Sequence, residues 1–416
     1  MSRIVFSGAN LLDGVSPPRG GTTLVVEGER IAWIGADRDA ATRPGDRVIP
    51  LAGRTLLPGM ASCHFHATFD GATFDLFPFG LDQPPGVLML RAARNAKLAL
   101  DAGFTLLVGA GGGNEIDAQL ALGIEQGLVV GPRLLPCGRN LGTTSGYIDL
   151  EPWWYELGNT GACRMADGPD GFRQAVRDEI RRGARMIKLF VTGGHGNVRA
   201  GTREFAREEL AAVVETAHAR GVKVRAHCAW KREILECVNL GVDVIDHGDF
   251  LDAECIEAMA EAGTFLAPSV LYLEKLLAFE PLRQAPGFAP ARAETEREFA
   301  NLQRWLPEAN AAGVRIVLGD DYGTILLPHG SCAEELEFYV KRMGFAPLDV
   351  LRWATAHGAA LAGREAELGT LEAGKLADLL VVDGDPSVDI ALLADPKRLL
   401  AIVKGGAFVK DALARA

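Results

Sequence analysis

No run of apolar residues in this chain approaches the ~20 that a membrane-spanning helix needs. Positive charge is also short. Lys and Arg number 43 against 54 Asp and Glu, a formal net charge of -11, and no basic stripe stands out. That balance argues against a nucleic-acid or anionic-membrane partner and favours solubility; a small-molecule substrate is the expected partner. Seven cysteines, an odd number scattered without regular spacing, give no disulfide framework. They predict reduced thiols and a cytoplasmic protein. The opening residues, MSRIVFSGANLLDG, alternate like a strand and lack an apolar leader core, so no signal peptide is expected. No G-x-G-x-x-G follows a first strand, and TTSGY is not a G-x-S-x-G elbow. Dinucleotide binding and serine-nucleophile chemistry are therefore without a motif.

What is present is an ordinary globular composition, 48% apolar and 23% charged over 416 residues, enough for one large barrel and a smaller domain. Both ends read as strands: RIVFSGANLL and TTLVVEGERIAWIGA at the start, LADLLVVDGDP and LLAIVKGGAFVK at the end. Between them, eight short apolar runs alternate with amphipathic helical patterns, several closed by Gly. These runs are TLLPGMASCHFH, FTLLVGAGG, PRLLPCG, RMIKLFVTGG, VKVRAHCA, VDVIDHG, TFLAPSV and VRIVLGDD. Eight β-then-α units predict an α/β fold, a (β/α)8 TIM barrel. The expected division is a barrel over residues 58–365 and a small β-sandwich domain made from 1–57 plus 366–416. Residues 272–300, with Pro281, Pro286 and Pro290, read as an insertion over the barrel mouth.

Barrel chemistry sits at the C-terminal ends of the strands. The first strand ends in His64 and His66, which alternation puts on one face about 6–7 Å apart along the backbone, so both can address one ion. The fourth carries Lys188 in MIKLFV, where a buried ammonium demands a partner or a changed charge state. The fifth ends in His227, the sixth in His247, the eighth in Asp320 and Asp321. Nitrogen and carboxylate donors suit Zn²⁺ first, with Mn²⁺, Co²⁺ or Fe²⁺ as other candidates. Cys63 and Cys228 face away by alternation and read as small buried fillers.

These motifs resemble those of the amidohydrolase superfamily of metal-dependent hydrolases over nearly the whole chain. LLPGMASCHFH resembles its first-strand His-x-His motif and MIKLFVTGG its fourth-strand lysine motif. AHCAW, IDHGDF and LGDDYG are similar to its later strand ends. The tail ELGTLEAGKLADLLVVDGDP, with GTFLAPSV and PHGSCAEELEFY, is similar to the imidazolonepropionase and Xaa-Pro dipeptidase-like group. The resemblance implies two divalent metal ions, zinc first. His64, His66 and Asp321 would hold one ion, and His227 and His247 the other. Lys188 would be carboxylated by CO2, its carbamate bridging the pair. One register step exchanges Asp320 and Asp321. The implied reaction is attack by a metal-bridging hydroxide on an amide-type C–N bond of an N-acyl amino acid, dipeptide, carbamate or cyclic amide. Asp321 would act as base and then acid. An esterase or lactonase using the same centre is the alternative.

The chain departs from the dipeptidase-like pattern at Ser62, where Asp is usual, at Ser145-Gly146-Tyr147, and at Ala229-Trp230. The proton-shuttling Glu of the mononuclear deaminases is missing after His227. Tyr147, Trp153, Trp154 and Tyr155 make the loop after the third strand aromatic and predict an apolar or aromatic substrate portion. Tyr147, Trp230 and His329 are expected to contact substrate, and His195 to join catalysis. Arg203 is a candidate for a substrate carboxylate. Members of the superfamily often assemble, which implies a homo-oligomer.

Overall fold

The computed structural model describes residues 3–71, 83–149, 154, 161, 163–194, 202–280 and 288–413. Two compact units divide the chain. One comprises Met1–Ser62, Ala96–Leu107 and Gly330–Ala416; the other comprises Cys63–Asn95 and Val108–His329. Among the described residues no helix is long and apolar enough to cross a membrane.

In the first unit both ends of the chain join one eight-stranded sheet. Its order is Ala407–Asp411, Leu399–Lys404, Leu379–Asp383, Arg54–Pro58, Arg3–Leu11, Arg19–Glu27 and Arg30–Ala36, with Arg47–Pro50 pairing on Arg3–Leu11. Alternation gives this sheet its core: Ile4, Phe6, Leu24, Val26, Leu56, Leu379, Val381 and Val403 are all buried in one cluster. A two-residue turn joins Glu27 to Arg30, and it needs Gly28, whose φ is +62°. The expected sandwich is thus seen as one sheet from both termini; a second facing sheet is not found among the described residues.

The eight strands read from the sequence are all present. They are β1 (Met60–Phe65), β2 (Phe104–Gly109), β3 (Arg133–Leu135), β4 (Met186–Phe190), β5 (Lys223–Cys228), β6 (Val244–His247), β7 (Phe265–Ala267) and β8 (Arg315–Ile316). Strands β4 to β8 pair in sequence order, all parallel. Two further short strands, Asn140–Gly142 and Cys163–Met165, extend that sheet beyond β4, while β1 to β3 form a separate three-stranded sheet. Among the described residues these strands therefore make two sheets and not one closed ring. The end of β1 is nonetheless tied to the chain after β8, because Cys63 N donates to Leu318 O at 2.7 Å.

The connecting helices follow from local sequence. Ala253–Ala262 starts where the Asp252 carboxylate accepts from the Glu254 and Cys255 N–H groups, and it ends at Gly263, φ +68°. A cap of this kind contributes about 1 kcal/mol. Among the described residues, the helices Val270–Ala278 and Phe288–Ala311 overlap the predicted insertion and run past both of its ends.

Candidate metal centre

The strand register sets the rows of side chains. Lys188 pairs with Arg225, Phe190 with His227, and His227 with Asp246. Cross-strand partners share a face, so these five residues point the same way. By the same rule His247, paired with Cys228, would face outward. Its φ of +70° breaks the alternation, and its ring sits 4.3 Å from that of His227 and 5.3 Å from that of His64. A non-glycine residue there carries backbone strain, which tends to gather at functional sites.

The ligand atoms of His64, His247 and Asp321 lie within 4.8 Å of one another. Asp321 Oδ1 is 2.9 Å from His64 Nε2 and 3.3 Å from His66 Nε2. Asp320 points elsewhere: its carboxylate accepts from the N–H groups of Tyr272 (3.0 Å) and Asp321 (2.8 Å). His227 joins the group through its ring contact with His247. Lys188 is engaged by Asp246, whose Oδ2 lies 2.5 Å from Nζ.

Proton accounting tests whether a cation fits. His66 Nδ1 lies 2.7 Å from the Gly111 carbonyl, which can only accept, so Nδ1 carries the proton. The Nε2 of a neutral ring then turns a lone pair toward Asp321 Oδ1, another acceptor. His227 Nε2 likewise donates to Gly193 O at 3.1 Å, which leaves its Nδ1 a lone pair. Burial holds the His64 imidazole down to about 4 against the opposing pull of Asp321 and Asp246, so it has one proton at neutral pH. With that proton on Nε2 toward Asp321, Nδ1 keeps a lone pair, and Ser269 Oγ, 3.5 Å away, donates to it only by leaving the Gly319 carbonyl at 3.4 Å. Burial pushes the Asp321 carboxyl up, but His64, His66 and His247 outweigh it and hold the group well below its ordinary range. The cluster is rich in lone pairs and short of protons, which suits a divalent cation.

Aromatic rings pack on the candidate ligands. Phe69 stacks on His66 at 4.2 Å and Phe190 on His227 at 4.7 Å. Tyr147 follows, 6.1 Å from Phe190; a Cβ on Gly194 would stand 2.8 Å from its Oη. Trp230 stacks on Phe250 at 4.3 Å. His329 lies against Phe65, 5.0 Å between rings, and its Nε2 donates to Phe69 O at 3.1 Å. Trp230 Nε1 and His329 Nδ1 are buried with no hydrogen-bond partner among the described residues. Arg203 is spent on Glu236 and the Phe205 carbonyl. Trp154 is 72% exposed. His195, Trp153 and Tyr155 lie outside the described residues.

Sequence reasoning missed Arg225 and Asp246. Both are fully buried, and Arg225 shares a strand face with His227. The signal was available, since a charged residue in the apolar run VKVRAHC poses the same problem as Lys188. Ser269 and Tyr272 gave no such signal.

The amidohydrolase family profile matches residues 55–409. The chain is 30% identical to an ochratoxinase of Aspergillus niger, across 98% of this chain and 86% of that one. It is 26% identical to an imidazolonepropionase of Rubrobacter xylanophilus, across 92% and 90%. A crystal structure of a Xaa-Pro dipeptidase with methionine bound in its active site superposes with a TM-score of 0.87 at 27% identity. That match covers 98% of this chain and all (100%) of the other.

Proposed function

Since the chain belongs to the amidohydrolase family, matched over residues 55–409, and is thus a hydrolase acting on C–N bonds, we propose that it cleaves an amide-type bond at a two-metal centre. The observation that carries this reading is the convergence of the ligand atoms of His64, His247 and Asp321 within 4.8 Å. In this reading His64, His66 and Asp321 hold one ion and His227 and His247 the other, with a carboxylated Lys188 between them. We take residues 58–365 as the catalytic part and 1–57 with 366–416 as a composite β part.

Bound divalent ions supply Lewis acidity, which makes a hydroxide available near neutral pH and polarises a carbonyl. The chain does the rest. Asp321 is charged at neutral pH, held so by the neighbouring histidines, so Oδ1 can take a proton from the attacking water and return it to the leaving nitrogen. Tyr147, Phe190 and Phe69 wall the site with rings and exclude water from it. Trp230 Nε1 and His329 Nδ1, both buried and without a hydrogen-bond partner among the described residues, are available to substrate. This favours a substrate with an apolar or aromatic portion, an acceptor for the Trp230 N–H and a donor for the lone pair of His329 Nδ1. Among these substrate classes, the likeness to a structure named as a Xaa-Pro dipeptidase favours a dipeptide or a similar N-acyl amino acid.

The test is hydrolysis of a panel of N-acyl amino acids, dipeptides, carbamates and cyclic amides, each beside its matched ester. Amine release that vanishes with chelation, and that falls about 10²- to 10⁴-fold in Asp321→Asn, is expected. A large kcat/KM preference for the esters would replace the amide reading with the esterase one.

A further inference from the structure

Arg225 and Asp246 are the most tightly bonded charged pair beside the candidate ligands, and the reaction makes no direct use of either. Arg225 is 0% exposed, and so is Asp246. The guanidinium grips Asp246 with two bonds, Nη2 to Oδ1 at 2.5 Å and Nε to Oδ2 at 3.0 Å. Its remaining nitrogen, Nη1, donates to the carbonyls of Cys63 (2.9 Å) and Gly109 (2.7 Å). One side chain on β5 is thus bonded to the ends of β1, β2 and β6. Burying a guanidinium this completely is costly unless every donor is matched, and here the matching ties together the strands that carry His64, His227 and His247.

Asp246 passes that constraint on. Its Oδ2 accepts from Lys188 Nζ, and its Oδ1 lies 3.8 Å from His64 Nδ1. Two candidate ligands on different strands therefore face one carboxylate that cannot turn, because Arg225 holds both of its oxygens. A partner on the far side of a ligating imidazole fixes ring orientation and tautomer, and such partners matter to metal affinity nearly as much as the ligands.

We propose that Arg225 and Asp246 are positioning residues of the metal centre: Arg225 locks the Asp246 carboxylate, and that carboxylate sets the places of the Lys188 amine and the His64 ring. This rests on the two-metal reading above. Lysine cannot replace Arg225, because its ammonium lacks the planar fork that meets both oxygens of Asp246. Asn at 246 keeps the shape but has one acceptor oxygen in place of two, so it cannot accept from the Arg225 fork and from the Lys188 N–H, which carboxylation leaves in place, as the carboxylate does.

The experiment measures Zn²⁺ affinity, by competition with a chromogenic chelator, for the full chain and its Asp246→Asn and Arg225→Lys variants. The visible spectrum of each Co²⁺-loaded protein is recorded alongside. We expect both variants to bind Zn²⁺ about 10- to 100-fold more weakly than wild type, with altered Co²⁺ bands, a signature that lost stability alone would not produce. Asp246→Glu keeps the charge and guards against a variant that fails to fold; it should fold, show displaced Co²⁺ bands and lose at least part of the affinity. Variants that match wild type in affinity and in spectrum overturn the positioning role and leave the two-metal reading standing. A wild-type chain that takes up no ion overturns both.

Discussion

At the scale of single residues, proton balance decides what the site can be. Burial lowers the His64 and His329 imidazoles from the ordinary 6.5 to about 4. In the folded chain both stay neutral at pH 5, whereas in the unfolded chain ordinary imidazoles gain protons below about 6.5. The unfolded state then binds more protons, so stability falls as pH drops from about 7 toward 4. The urea midpoint of the metal-free protein should be lower at pH 5 than at pH 7. His329→Gln, which keeps a donor for the Phe69 carbonyl but cannot titrate in this range, should show a smaller drop. A midpoint that holds or rises at pH 5 contradicts this. Trp230 offers a second check. Trp230→Phe keeps a ring to stack on Phe250 but deletes the unpartnered indole N–H, so KM should rise about tenfold with kcat little changed. Equal losses in kcat and kcat/KM would place that N–H in the transition state instead.

At the scale of strands and helices, the order of elements was legible because period-2 apolar runs and Gly-ended helical patterns alternate along the chain. Strand identity then pointed to candidates: His64, His227 and His247 fall at the C-terminal ends of β1, β5 and β6, His66 just past β1, and Lys188 at the middle of β4. What alternation could not tell was orientation at the last residue. His247 faces its ring neighbours through a φ of +70°, which no residue-type rule foretells. The choice between Asp320 and Asp321 was equally open, since it depends on which carboxylate caps the Tyr272 N–H. The two extra strands, Asn140–Gly142 and Cys163–Met165, have only three residues each, too few for a period to register. Close approach of backbones was likewise hidden. A Cβ on Gly319 would stand 2.4 Å from the His64 nitrogen and 2.8 Å from the Cys63 nitrogen. Neither can yield without moving β1, so Gly319→Ala should destabilise the chain by about 2–4 kcal/mol, read from urea unfolding. A loss under about 0.5 kcal/mol would mean that β1 is free to shift.

At the scale of the whole molecule, the family profile and the structural superposition span nearly the full chain. Particular side chains stand around those strands. Tyr147 fills the space that Gly194 leaves open, Trp230 follows the fifth-strand histidine, and Arg203, a sequence candidate for a substrate carboxylate, is taken by Glu236. The sequence reading marked Tyr147 and Trp230 as departures from the dipeptidase-like pattern, and both sit among aromatic rings. An ion that binds only the folded chain stabilises it by mass action. Chelation should therefore lower the melting temperature of wild type more than that of His64→Ala.

Metal content tests the central claim most directly. The purified chain, dialysed against buffer treated to remove free metal, is analysed by inductively coupled plasma mass spectrometry beside His64→Ala and Lys188→Ala. About two divalent ions per wild-type chain, and fewer in each variant, are expected. Wild-type protein that is metal-free, and that hydrolyses its substrate equally well with and without chelator, would contradict the account.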